Sequence, residues 1–181
     1  ATQFSFQAPD DFLAGKNIRV HDDLEPMGCL GDLGWYTVRF TLWAQHYRMP
    51  TQVTGRLLNY VQRPGSSVKV PLEFSGELLF DNDVSASFYC SFLTEHQEWA
   101  SVSGSKGNVL VRDFVLPFFG SEASFEVANS VFRAMGCDFN MEGNVRRESV
   151  AEYSNSAPNS QETNLFRTFS QLVLDGRRDE H

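Results

Sequence analysis

An aspartate and a tyrosine four residues apart, Asp32 and Tyr36, are the pair in this sequence best suited to acid–base chemistry. On one helix, side chains at i and i+4 project from the same side, so a carboxylate and a phenol would reach a common point. A carboxylate can orient a hydroxyl. A phenol, ordinarily ionising near pH ~10, needs a nearby cation before it can trade protons near neutrality. The pair lies in MGCLGDLGWYTVRF, residues 27–40, where Gly28, Gly31 and Gly34 lead into a segment whose only charges are Asp32 and Arg39. A helix start there would favour an ionised Asp32. On spacing alone, an Asp32 that caps the helix and a Tyr36 that fills the core explain the pair more simply.

Few other residues compete for a chemical role. His46 falls at the expected end of that helix, where a cation suits the dipole, and His21 and His96 have no partner at metal-ligand spacing. None of them, nor the terminal His181, is assigned a catalytic role or a metal. Three cysteines, Cys29, Cys90 and Cys137, are odd in number and lack a CxxC spacing, so they indicate core thiols rather than a disulfide framework or zinc. The turn Gly104-Ser105-Lys106-Gly107 joins two strands, not a strand and a helix, which is the wrong setting for a phosphate cradle.

The elements that must position Asp32 and Tyr36 are mostly strands. SVKVPLEFSGELLF places Val68, Val70, Leu72, Phe74, Leu78 and Phe80 on one face and Lys69, Glu73, Ser75 and Glu77 on the other. Asp81 to Asp83 turn the chain. VSASFYCSF then sends Val84, Ala86, Phe88, Cys90 and Phe92 inward and Ser85, Ser87, Tyr89 and Ser91 outward, which predicts an antiparallel hairpin. Further strands are expected at 3–7, 52–62, 97–103, 108–116, 123–127 and 145–153. Helices are expected at Gly31–His46 and, after a loop at 154–160, at Gln161–Asp175, with Leu165, Phe169, Leu172 and Val173 as a buried stripe ending at Gly176. The sum is an α+β fold: a large, mostly antiparallel, open-faced sheet with helices packed on one face. The first helix is apolar around nearly its whole circumference, so the sheet can cover only one of its sides.

With 181 residues the chain suits one domain, 1–181. Its formal charge of −8 and only three lysines, Lys16, Lys69 and Lys106, argue against a nucleic-acid partner. No apolar run approaches a membrane span, and the scattered thiols suit a cytoplasmic setting. The Ser- and Tyr-bearing outer face of the sheet suits a two-fold contact between copies.

NIRV followed by GCLGDLGWYTVRFTLW resembles the segment that opens the C-terminal domain in the glucose–fructose oxidoreductase/inositol dehydrogenase (Gfo/Idh/MocA) family. Members carry an Arg, a glycine-rich lead-in and D-x-x-x-[H/Y] on the first helix. VSGSKGNVLVRDF is similar to the family's later strand–turn–strand, and QETNLFRTFSQLVLDGRRDE to its late helix. The nearest branch has Tyr at the second catalytic position and includes dihydrodiol and xylose dehydrogenases. The resemblance implies an NAD(P)-dependent oxidoreductase acting on a sugar, polyol or diol, with Tyr36 and Asp32 catalytic. It aligns Arg19 with an arginine that holds substrate, Asp32 or an anion; a solvated loop charge is the equal alternative. It also implies a homodimer through the open sheet face.

Two family features are missing from the sequence: the G-x-G-x-x-G fingerprint and the Glu-Lys-Pro motif whose Lys is catalytic, of which Leu24-Glu25-Pro26 is a partial match. Both belong to the family's N-terminal Rossmann domain. The chain is therefore expected to be a C-terminal substrate-binding and oligomerisation domain, inactive without that partner, with NAD or NADP held mainly outside it. The alternative is a non-catalytic module for sheet-mediated assembly or small-ligand binding.

Overall fold

The computed structural model describes residues 1–81, 83–117, 122–151 and 160–178. In chain order its elements are β1 (Thr2–Gln7), α1 (Gly28–Asp32), α2 (Gly34–Ala44), β2 (Gln52–Val61), β3 (Val70–Leu79), β4 (Ser85–Ser91), β5 (Leu93–Gly104), β6 (Gly107–Val111), β7 (Glu122–Met135), β8 (Asp138–Ala151) and α3 (Gln161–Leu174). The strands form a mixed, mostly antiparallel sheet in the order β2-β3-β4-β1-β5-β6-β7-β8, the α+β class that the alternation predicts. Two compact units divide the chain, Ala1–Val102 and Ser103–His181.

In the first unit β3 and β4 make the expected hairpin, with Leu78 opposite Ala86 and Phe74 opposite Cys90. Val70, Leu72, Leu78, Phe80, Phe88, Cys90 and Phe92 are buried as the alternation requires, and each is removed from water on the face that the helices cover. Two positions depart from the pattern. Val68 precedes the strand and is exposed, and Ser91, expected outward, is buried with its hydroxyl accepting from the Leu93 amide. β1 slots between β4 and β5, parallel to the first and antiparallel to the second.

The segment expected as one helix, Gly31–His46, is two. α1 starts earlier, at Gly28, and the helical run is interrupted at Leu33 before α2 begins. Gly28 has φ +49, and a Cβ there would run into the Pro71 carbonyl, so only glycine lets α1 approach β3 this closely. α2 ends at Ala44, and His46 and Tyr47 follow in the left-handed region.

The inward face of α2 is made of small residues, Gly34, Thr37 and Thr41, all buried. The two hydroxyls are satisfied within the helix: Thr37 donates to the Gly34 carbonyl at 2.8 Å and Thr41 to that of Thr37 at 3.0 Å. The large side chains stand outward, with Trp35 62% and Trp43 59% exposed. The sheet thus takes the thin side of the helix, and nothing among the described residues covers the thick side.

In the second unit β7 and β8 pair along their whole length, from Glu122–Ala151 to Met135–Asp138, around a two-residue turn in which Gly136 has φ +65. Both strands are longer than expected. β6 is shorter, stopping at Val111, and Tyr153 and residues 154–159 of the expected loop lie outside the described residues. Ser160 caps α3 by accepting from the Thr163 amide. The expected buried stripe of α3 is not buried: Leu165, Phe169 and Val173 are all exposed, because no described residue packs over them.

Candidate active site

Arg19 is presented by a single 3-10 turn, Ile18–Val20, between two anchors. The Asn17 side chain accepts from the Arg19 amide at 3.0 Å, and Val20 is buried. Asp32 closes α1, held between the buried Cys29 and Leu33. Tyr36 lies in the first turn of α2, its amide donating to the Leu33 carbonyl at 3.2 Å.

The fold gathers these three. Arg19 Nε donates to Asp32 Oδ1 at 2.8 Å, with the carboxylate side chain 23% exposed. The hydrogen bond and charge of Asp32, and more weakly the fields of Tyr36 and Glu25, hold the Arg19 guanidinium even further above its ordinary ionisation range. Asp32 ends a helix rather than beginning one, so the positive partner it meets is an arginine and not the start of the Gly31–His46 helix. The Tyr36 ring stands edge-on to Phe4 of β1, centroids 5.5 Å apart, and the residue is 42% exposed. A phenol, a carboxylate and a guanidinium therefore share one open side of the first unit, an arrangement able to orient a hydroxyl and move its proton.

The Arg39 guanidinium lies over the Tyr47 ring at 4.7 Å. His46 is exposed beyond the end of α2, and the His21 ring is bonded to the Gly15 carbonyl at 3.1 Å. Among the described residues no cluster of His, Cys, Asp or Glu could hold a metal ion. Sequence reasoning missed two side chains beside Phe4. β5 begins at Leu93 rather than Gln97, so His96 joins Glu98 on the strand and shares its face. The one available signal was their spacing of two.

Residues 1–110, which include Arg19, Asp32, Tyr36 and His96, match the family described as the GFO/IDH/MocA C-terminal domain. The chain belongs to the GFO/IDH/MocA family. Solved structures share its fold. One is aldose-aldose oxidoreductase from Caulobacter crescentus complexed with glycerol, 19% identical at a TM-score of 0.64, matching over 98% of this chain and 45% of that one. Another is KijD10, a 3-ketoreductase from Actinomadura kijaniata in complex with NADP and TDP-benzene, 17% identical at a TM-score of 0.62 over 99% and 46%. A third is UDP-N-acetylglucosamine 3-dehydrogenase GnnA from Acidithiobacillus ferrooxidans, 14% identical at a TM-score of 0.57 over 97% and 46%. This GFO/IDH/MocA chain thus spans a little under half the length of each of those structures.

Proposed function

We propose that the chain is the substrate-binding domain of an NAD(P)-dependent oxidoreductase acting on a hydroxyl of a sugar, polyol or diol, in the branch that uses Tyr at the second catalytic position. The observation that carries this is the Arg19–Asp32 pair beside an exposed Tyr36 in a chain of this family. Tyr36 relays the hydroxyl proton to or from solvent. Asp32 orients Tyr36 or a neighbouring substrate hydroxyl, and Arg19 fixes the Asp32 carboxylate and contributes to holding the substrate.

The dinucleotide does not fit this chain's own residues. Gly28, Gly31 and Gly34 are taken up by close packing: a Cβ would meet Pro71 and Val70 at the first, Glu25 and Met27 at the second, and Leu30 at the third. They leave no strand-to-helix cradle for a pyrophosphate. We assign NAD or NADP, which would exchange hydride with the carbinol carbon, to a Rossmann domain preceding residue 1, and the chain alone is inactive. The outward Trp35 and Trp43 are the side of α2 that such a domain would cover. We place the protein in the cytoplasm, where its free thiols Cys29, Cys90 and Cys137 stay reduced.

The outer face of the first unit favours a second role, a two-fold contact between copies. A groove of about 410 Å³ there is lined by Thr54, Arg56, Ser75, Glu77 and Ser87. Beside it the Tyr89 hydroxyl donates to Glu73. This contact is compatible with catalysis, and also with a purely assembling module.

The deciding experiment is to assay the full-length gene product on a panel of sugars, polyols and diols with both cofactors. Turnover should appear with at least one pair, and Tyr36→Phe should lower kcat by about 10² or more with little change in Tm. Activity that ignores Tyr36→Phe removes Tyr36 from the mechanism, and no activity on any pair favours the assembling module.

A further inference from the structure

Glu98 is a carboxylate withdrawn completely from water. It pairs across the sheet with Phe4, and its side chain is 0% exposed on the face that also carries Phe88, Cys90 and Ala100. A buried carboxylate is expensive unless a charge or hydrogen bond offsets it, and apolar packing has no need of one. One charge partner is His96, two residues earlier on β5, with Nε2 3.8 Å from Oε1 and the imidazole side chain 40% exposed. A carboxylate behind an imidazole is the arrangement that fixes a histidine's ring orientation and tautomer.

The location of that histidine matters. The Phe4 ring takes the edge of Tyr36 at 5.5 Å and is itself edge-on to His96 at 6.3 Å. His96 and Tyr36 therefore flank one apolar ring, one from the sheet and the other from α2, and both are open to solvent. The geometry points to His96 as a second substrate-contacting residue of the Tyr36 site, with Glu98 as the residue that positions its ring. This rests on the reading of Tyr36 proposed above and extends it to specificity. A site with polar side chains on both sides of an apolar ring recognises a substrate carrying a second hydroxyl near the reacting one, and rejects the analogue that lacks it, because a polar group then loses its partner.

The test uses the full-length oxidoreductase and the substrate found in the panel, with its deoxy analogue. His96→Ala should raise KM about tenfold, change kcat by less than about threefold, and erase most of the preference over the deoxy analogue. His96→Asn, which keeps a hydrogen-bonding group, should recover part of that loss. Glu98→Gln should alter the ring-nitrogen chemical shifts of His96 in the ¹⁵N-labelled protein; unchanged shifts overturn the positioning role. Tyr36→Phe is run alongside. If it abolishes turnover while His96→Ala leaves KM and preference unchanged, the inference about His96 fails and the functional reading stands. If neither variant has an effect, both fall. Should Glu98→Gln not fold, the two His96 variants still decide.

Discussion

Breaking the contact between Arg19 and Asp32 gives the sharpest test of the site's geometry. At 2.8 Å the two charges attract by roughly 6 kcal/mol at an effective dielectric of about 20. Most of that does not survive as net stability, because the Arg19 side chain is 42% exposed and water competes for it. The Asp32 side chain, at 23%, is better shielded, which raises the pair above the ordinary surface value. About 1 kcal/mol of coupling is the expected remainder. A double-mutant cycle built from Arg19→Ala, Asp32→Ala and the double variant, unfolded in urea, should return that figure. Raising salt to about 1 M, where charges are screened beyond roughly 3 Å, should reduce it without abolishing it. Arg19→Lys should keep part of the coupling, since it retains the charge and loses the planar fork. A coupling within about 0.3 kcal/mol of zero, the scatter of independent sites, would refute the contact and with it the arginine's role in holding Asp32.

Two further outcomes follow from the packing. Gly28→Ala should destabilise the chain by at least about 2 kcal/mol in urea unfolding, since it adds left-handed strain to a collision with the Pro71 carbonyl; a loss under half of that would mean α1 can shift off β3. Burial first, and its hydrogen bond to Glu73 second, hold the Tyr89 phenol above its usual ionisation. Because the folded value exceeds the unfolded one, the resulting stability is complete below about pH 10 and is lost as pH rises through the folded value. Tyr89→Phe should accordingly lose less stability than the parent chain on going above about pH 10, and equal pH slopes would show that Tyr89 does not contribute.

The hairpin of β3 and β4 was legible because one of its faces is covered and the other is not, so burial printed a period of two on residues 70–92. Where both faces meet solvent that imprint is absent. The outer half of β7 and β8 carries Phe132, Met135, Phe139 and Met141, all exposed, and its pairing could not be read from alternation. α3 shows the converse: its sequence has the stripe of a packed helix, but no described residue covers that stripe. At the site, Asp32 and Tyr36 drew attention by a spacing of four on one expected helix, but the structure puts them on two, α1 and α2. The break at Leu33 was not legible, because Leu33 keeps helical dihedrals and only the hydrogen-bond ladder changes there. Arg19 entered through resemblance, and its bond to Asp32 depends on a turn whose cap, Asn17, is a local detail. His96 was set aside for want of metal-ligand spacing, and the strand start misplaced by four residues hid that it shares a face with Glu98.

The position of β1 has a kinetic consequence. This strand precedes β2 to β8 in the sequence, yet it lies in the interior of the sheet, between β4 and β5. The Ser5 hydroxyl reaches the Glu95 carbonyl, 90 residues away along the chain, and Thr2 faces Phe88 on one side and Ala100 on the other. Closing so long a loop costs entropy before any ladder bond repays it, and high contact order slows folding. As the chain leaves the ribosome, the Phe4 platform of the site has no strand neighbours until residues 90–98 emerge. Residues 2–7 must wait through the synthesis of nearly all of the first unit, and that unit can close cooperatively only around them, late.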